Sequence, residues 1–134
     1  MKALIIGGGG FVGGYLADEL KNNGYDVYIT CLEKADSDYV QFTLDIRKKD
    51  DISAILSEIN PDVIFHLAAQ SSVALSWKNP QLTAEINIIG AINLFEAIRE
   101  YEGNPRVIVI GSGEEYGCIS ANPCPIKETE PLHP

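Results

Sequence analysis

The chain opens on four apolar residues, Ala3-Leu4-Ile5-Ile6, which run directly into four glycines, Gly7 to Gly10. An amphipathic segment begins at Phe11 and carries two more glycines, Gly13 and Gly14. A buried strand that passes at once into a helix, through a turn without side chains, leaves few folds open. It reads as the start of a βαβ unit shaped to receive a pyrophosphate. Two registers overlap, Gly8-x-Gly10-x-x-Gly13 and Gly7-x-x-Gly10-x-x-Gly13, and both use Gly10 and Gly13. In this pattern Gly7 permits the sharp exit from the strand, Gly10 lets a phosphate approach the backbone, and Gly13 lets the helix pack closely. The free N–H groups and positive end of the helix then face the phosphates. A plain glycine-rich connection is the competing reading of this motif taken alone.

The rest of the chain repeats the alternation. Residues 11–22 predict a helix with Val12, Tyr15, Leu16 and Leu20 inward and Gly24 as its stop. Residues 26–32 predict a second strand, and 40–44 a third that ends at Asp45. Asp50 or Asp51 is expected to cap a helix in which Ile52, Ile55, Leu56 and Ile59 recur at helical spacing, and Asn60-Pro61 ends it. Residues 62–67 are apolar enough for a strand buried on both faces. A polar loop over 68–76 leads to a long helix over 80–101, with Leu82, Ile86, Ile89, Ile92 and Phe95 inward. Residues 106–110 predict a fifth strand, and the remainder to Pro134 reads as loop. Strands alternating with helices imply a doubly wound, Rossmann-type α/β domain over residues 1–134. The expected strand order is 3-2-1-4-5, with the ligand crevice at the carboxyl ends of strands one and four.

Charge narrows the partners. The formal net charge of −9 argues against nucleic acid or an anionic membrane surface. It does not argue against an anionic cofactor, which helix amides bind whatever the net charge. No apolar run is long enough to span a bilayer. Cys31, Cys118 and Cys124 are an odd set without tight metal spacing, read as reduced thiols of a cytoplasmic protein with no metal. Cys118 and Cys124 could pair or bind a metal, but two chance cysteines in a loop is the preferred account.

With these motifs in order, the chain resembles the extended short-chain dehydrogenase/reductase family, the nucleotide-sugar epimerases, dehydratases and reductases. Gly7 and Gly10-Phe11-Val12-Gly13 match its phosphate turn, though Ile6 stands where a Thr is usual. Asp45-Ile46 falls on the family's adenine contact, and His66-Leu67-Ala68-Ala69 on the segment under the nicotinamide ribose. Asn87 with Gly90 matches the Asn-x-x-Gly of the long helix, and residues 111–117, GSGEEYG, match the active-site loop. Residues 67–77 and 111–117 resemble GDP-4-keto-6-deoxymannose reductases, and the first of these, with Asn79-Pro80 and Thr83-Ala84, also resembles GDP-mannose 4,6-dehydratases.

The resemblance implies roles. Ser112 falls on the catalytic Ser/Thr, which would hydrogen-bond the sugar's C4 oxygen during hydride transfer. Glu114 falls on an active-site Glu, the general base of dehydratases. Gln70 and Ser71 lie on the loop expected to face the cofactor, and Ser72 and Trp77 are substrate candidates, Trp77 being nearly as well explained by packing. His66 reads as structural and Glu115 as a solvated carboxylate. Gly113 breaks the Asp-Glu pair of dTDP-glucose dehydratases, so that substrate is disfavoured. The cofactor is NADP or NAD. Cys31 stands where an acid would bind the ribose 2′-OH of NAD, Glu33 could substitute for it, and Lys34, able to meet a 2′-phosphate, tilts the expectation to NADP.

No tyrosine of the chain has a lysine four residues later, so the family's Tyr-x-x-x-Lys is missing. The expectation is an N-terminal fragment that stops before that segment and before the lobe that binds the nucleotide sugar, inactive alone and homodimeric through the long helix when full length. A non-catalytic NAD(P)-binding module is the alternative of another class.

Overall fold

The computed structural model describes residues 1–117 and 125–134. The expectations placed on Cys118 and Cys124 lie outside these residues. Five strands, β1 (Lys2–Ile6), β2 (Asp26–Cys31), β3 (Val40–Thr43), β4 (Val63–His66) and β5 (Arg106–Val109), form one sheet. Its order is β3-β2-β1-β4-β5, and every pairing is parallel.

The apolar run of β1 is explained by its central place. Leu4 and Ile6 point into one core, Ala3 and Ile5 into the other, and all four are essentially inaccessible. A strand covered on both faces has no polar side to show, so its sequence does not alternate. The first core lies under α2 (Lys49–Ile59) and α5 (Gly90–Glu100) and takes in Ile52, Leu56, Ile64 and Leu94. The second lies under α1 (Phe11–Asn22) and takes in Ala17, Leu20, Val27 and Ile29.

Helix α1 starts and stops where the sequence predicts, and Leu20 and half-buried Leu16 face the core as expected, but the rest of the inner face is shifted. Gly13, Ala17 and Leu20 are buried, whereas Val12 and Tyr15 are exposed. A Cβ on Gly13 would stand 2.6 Å from both the carbonyl carbon and the Cα of Gly8. Closest approach therefore falls on the small residues, and the bulkier ones are left beside the contact line. The helix ends in a Schellman arrangement: Tyr25 N–H donates to the Leu20 carbonyl, Gly24 N–H to that of Lys21, and Gly24 sits at φ 81°.

The long helix is corrected in the same sense. It comprises α4 (Pro80–Ala84), a π-helical turn (Glu85–Ile89) and α5. Gly90, Leu94 and Ala97 are buried, Leu82 and Ile86 half-buried, and Ile89, Ile92 and Phe95 are exposed. The inner stripe steps by four from 82 to 94, as a widened π turn permits. A strict helical period drifts onto Ile89 and Ile92 instead. Two smaller corrections concern helix starts. Lys48, not Asp50 or Asp51, is the residue before α2, and the two aspartates sit in its first turn, where they favour the helix dipole. The loop predicted over 68–76 contains a short helix, α3 (Val73–Lys78), which Ser72 caps through its hydroxyl. No helix among the described residues is long and apolar enough to cross a membrane.

Candidate functional site

The carboxyl ends of β1, β2, β3 and β4 surround a cleft of about 470 Å³. Its floor is the glycine turn. Gly7 adopts φ 87°, and a Cβ there would lie 2.7 Å from the amide nitrogen of Ala68, so only glycine lets the turn touch the end of β4. The Gly7 N–H donates to the hydroxyl of buried Thr30 at 3.2 Å, which ties the turn to β2. Gly10 precedes α1 with extended backbone, no side chain caps the helix, and its first turn holds no acid. The first intrahelical bond runs from Gly14 N–H to the Gly10 carbonyl, 3.2 Å. The amides of Phe11, Val12 and Gly13 thus have no acceptor inside the helix, and all three residues line the cleft. Such an end attracts an anion.

The opposite walls come from two loops. Asp45, Ile46 and Arg47 after β3 form one, and Leu67, Ala68, Ala69 and Ser71 after β4 form the other. Arg47 hydrogen-bonds both oxygens of Asp45 and holds that carboxyl below its usual pKa. The fit of a dinucleotide follows from donors and room: unpaired amides for phosphates, an ionised acceptor for a base, and glycines where a Cβ would collide. Among the described residues no group of three or more His, Cys, Asp or Glu side chains is placed to hold a metal.

The structure gathers Gly7, Gly10, Phe11, Val12, Gly13, Asp45, Ile46, Leu67, Ala68 and Ala69 around this one cleft. Gln70 is not among the lining residues. Its backbone is clamped by Asn87, whose Oδ1 accepts from Gln70 N–H at 2.7 Å and whose Nδ2 donates to its carbonyl at 3.0 Å. Its side chain donates to Thr83 Oγ1 at 2.9 Å. Gln70 therefore secures the loop to the long helix from behind. Ser112, Glu114, Ser72 and Trp77 also stand outside the cleft. Ser112 precedes a 3-10 turn (Gly113–Tyr116), and its hydroxyl accepts from the Glu114 N–H at 3.2 Å. Ser72 is occupied as a cap, and Trp77 is 84% exposed. At the end of β2, Cys31 is buried, and Glu33 and Lys34 are exposed and do not line the cleft. His66 is buried, its Nδ1 has no partner among the described residues, and burial pushes its pKa down.

Sequence reading passed over Thr30 and Arg47, which the cleft uses, and Asn93, which holds one of its walls from the long helix. None belongs to a spaced motif. The signal in the sequence was Arg47 two residues beyond Asp45, close enough for a local ion pair.

Sheet order, glycine turn and cleft define a Rossmann-type α/β domain. Residues 4–134 match the family model described as GDP-mannose 4,6 dehydratase, and the chain belongs to this family of extended short-chain dehydrogenase/reductases, among the nucleotide-sugar epimerases and dehydratases. It is 35% identical to the CDP-paratose 2-epimerase of Salmonella typhi, covering 87% of this chain and 38% of that protein. It is 33% identical to a GDP-mannose 4,6-dehydratase of Vibrio cholerae, covering 99% and 40%. The UDP-glucose 4-epimerase of Thermus thermophilus, solved in complex with NAD, superposes with TM-score 0.85 at 31% identity, over 100% of this chain and 45% of that one. The chain thus spans about two-fifths of the length of the curated relatives it matches.

Proposed function

We propose that the chain is the NAD(P)-binding part of a nucleotide-sugar oxidoreductase. The observation that carries this is the start of α1, uncapped and free of acid, opening on a cleft lined by Gly7, Gly10 and Gly13. The amides of Phe11, Val12 and Gly13 would hold the pyrophosphate, Asp45 and Ile46 the adenine, and Leu67, Ala68 and Ala69 the nicotinamide ribose. The bound dinucleotide supplies hydride exchange at C4 of the sugar. Ser112 would hydrogen-bond the C4 oxygen, and Ser72, the cap of α3, and Trp77 within α3 would flank the sugar. The preferred reaction is reduction of a GDP-4-keto-6-deoxyhexose, which residues 67–77 and 111–117 support. A GDP-mannose 4,6-dehydratase is the second reading, supported by the description of the matching family model and by Glu114 as base. The outward Ile88, Ile89, Ile92 and Phe95 support a homodimer of the whole protein.

The end of β2 offers Cys31 rather than a carboxylate, and the next acid, Glu33, does not line the cleft, so no carboxylate of the lining faces a 2′-phosphate there. NADP is accepted at least as readily as NAD. In a fluorescence titration of the purified chain, NADPH is expected to bind as tightly as NADH or up to about tenfold more tightly, the span of one modest hydrogen bond. Binding of neither overturns the proposal, and much tighter NADH reverses the order given for the two cofactors. Incubated with NADPH and a GDP-4-keto-6-deoxyhexose, or with GDP-mannose, the chain alone is expected to form no product, because Tyr-x-x-x-Lys is absent. Product from either substrate would refute that.

A further inference from the structure

We propose that Arg47 is the positioning residue that makes this cleft select adenine, by fixing the orientation of the Asp45 carboxylate; the inference rests on the dinucleotide reading above. Arg47 Nε donates to Asp45 Oδ1 at 2.9 Å and to Oδ2 at 3.1 Å, and Nη2 donates to Oδ2 at 2.6 Å. The Arg47 backbone N–H adds a fourth bond, 3.1 Å to Oδ1. A planar guanidinium fork of this kind fixes the carboxylate plane as well as its charge.

The fork is itself held by the long helix. Arg47 Nη1 lies 3.6 Å from Glu85 Oε2, and Gln81 Nε2 donates to the other Glu85 oxygen at 3.0 Å. Asn93 Nδ2 donates to the carbonyls of Ile46 and Arg47, at 3.3 and 2.9 Å. A Cβ on Gly90 would stand 2.6 Å from Ile46 Cγ2, so the loop is seated directly on the helix. Three contacts from one helix thus immobilise a three-residue loop that lines the cleft.

The chemistry follows from what a carboxylate can do. Ionised, it only accepts hydrogen bonds; protonated, it also donates one. The Arg47 backbone N–H occupies Oδ1, Nη2–H occupies Oδ2 and Nε–H is shared between them, which fills about three of the four acceptor sites of the carboxylate and leaves about one for a ligand. An acceptor-only group takes the exocyclic amino group of adenine and repels the keto oxygen that hypoxanthine carries at the same position. A carboxylate free to rotate can turn instead to the N1–H that hypoxanthine carries beside its keto oxygen, and so discriminates less. The charged groups around Asp45 are Arg47 and Lys48 on its own loop and, through Arg47, Glu85 on the facing helix.

The test titrates NADH and reduced nicotinamide hypoxanthine dinucleotide into the purified chain and into Arg47→Met and Arg47→Lys. Wild type is expected to prefer adenine by on the order of tenfold, the scale of a hydrogen bond to a charged group. Arg47→Met brings the preference within about threefold by weakening only the adenine form, and Arg47→Lys, with charge but no fork, falls between. Equal thermal midpoints show that folding is not the cause. Full preference retained by Arg47→Met, with NADH still bound, overturns this inference and leaves the cofactor reading standing. Binding of neither dinucleotide by wild type overturns both.

Discussion

Gly13→Ala is expected to destabilise the chain by about 3 kcal/mol and to weaken dinucleotide binding by more than tenfold. The added Cβ would stand 2.6 Å from two backbone atoms of Gly8. Backbone cannot be relieved by a rotamer change, so α1 must shift off the turn. That shift opens the packing of Ala17 and Leu20 against the sheet and moves the Phe11, Val12 and Gly13 amides off the phosphate position. Gly14→Ala, one residue on, is the control. A Cβ there meets nothing within 4 Å, and replacing a helical glycine is expected to raise stability by roughly 0.5–1 kcal/mol. Urea denaturation and NADH titration of both variants give the comparison. Wild-type behaviour of Gly13→Ala would mean that the turn and helix are not in the contact described.

Element order was legible because the strands and helices here are cued by strong local signals. The unbroken apolar run of β1, the glycine turn, Gly24 and Asn60-Pro61 each act within a few residues, and the sheet order follows from the alternation. The buried faces of α1 and the long helix were only partly legible: Leu16, Leu20, Leu82 and Ile86 turn inward as expected, and the rest were missed for one shared reason. Hydrophobic periodicity assumes that the bulkiest apolar stripe faces the core. In α1 and in α5 the line of contact instead runs through glycine and alanine, because Gly13 must touch Gly8 and Gly90 must admit Ile46. Phe11, Val12, Ile92 and Phe95 then face outward. Their exposure is the price of close approach at the cleft.

The site divides in the same way. The residues that line the cleft with backbone, Gly7, Gly10 and Gly13, announce themselves by spacing. Those that hold the lining in place are mixed: Asn87 stands in the Asn-x-x-Gly match, whereas Asn93 belongs to no spaced motif. Asn93 donates to Arg47 across 46 residues, and Asn87 donates to Gln70 across 17. A carbonyl is the acceptor in each case, so residue type at the receiving end leaves no trace in the sequence. Gln70 shows the converse. Its place on the predicted loop was right, yet its hydrogen bonds go to the loop's own backbone and to Thr83 on the long helix.

Leu94→Ala is expected to cost about 3 kcal/mol, within the range of buried leucine truncations, and to lower the melting midpoint by roughly 8–15 °C. Leu94 is inaccessible and packs α5 into the core that also holds Leu4, Leu56 and Ile64. The truncation removes side-chain volume but leaves the α5 backbone, so Gly90 and Asn93 keep their contacts with Ile46 and Arg47. Dinucleotide affinity should therefore stay within about threefold of wild type, because the lost contacts are far from the bound groups. Ligand at one hundred times its Kd then restores about 2.7 kcal/mol, nearly the whole loss. At the same concentration Gly13→Ala, bound more than tenfold more weakly, regains less than about 1.4 kcal/mol, under half its loss, since its defect is in the binding turn itself. Thermal melts of both variants with and without NADH separate the two cases. A parallel loss of affinity in Leu94→Ala would mean that the Asp45–Arg47 loop depends on the packing of α5 as a whole and not on the three contacts at Glu85, Gly90 and Asn93.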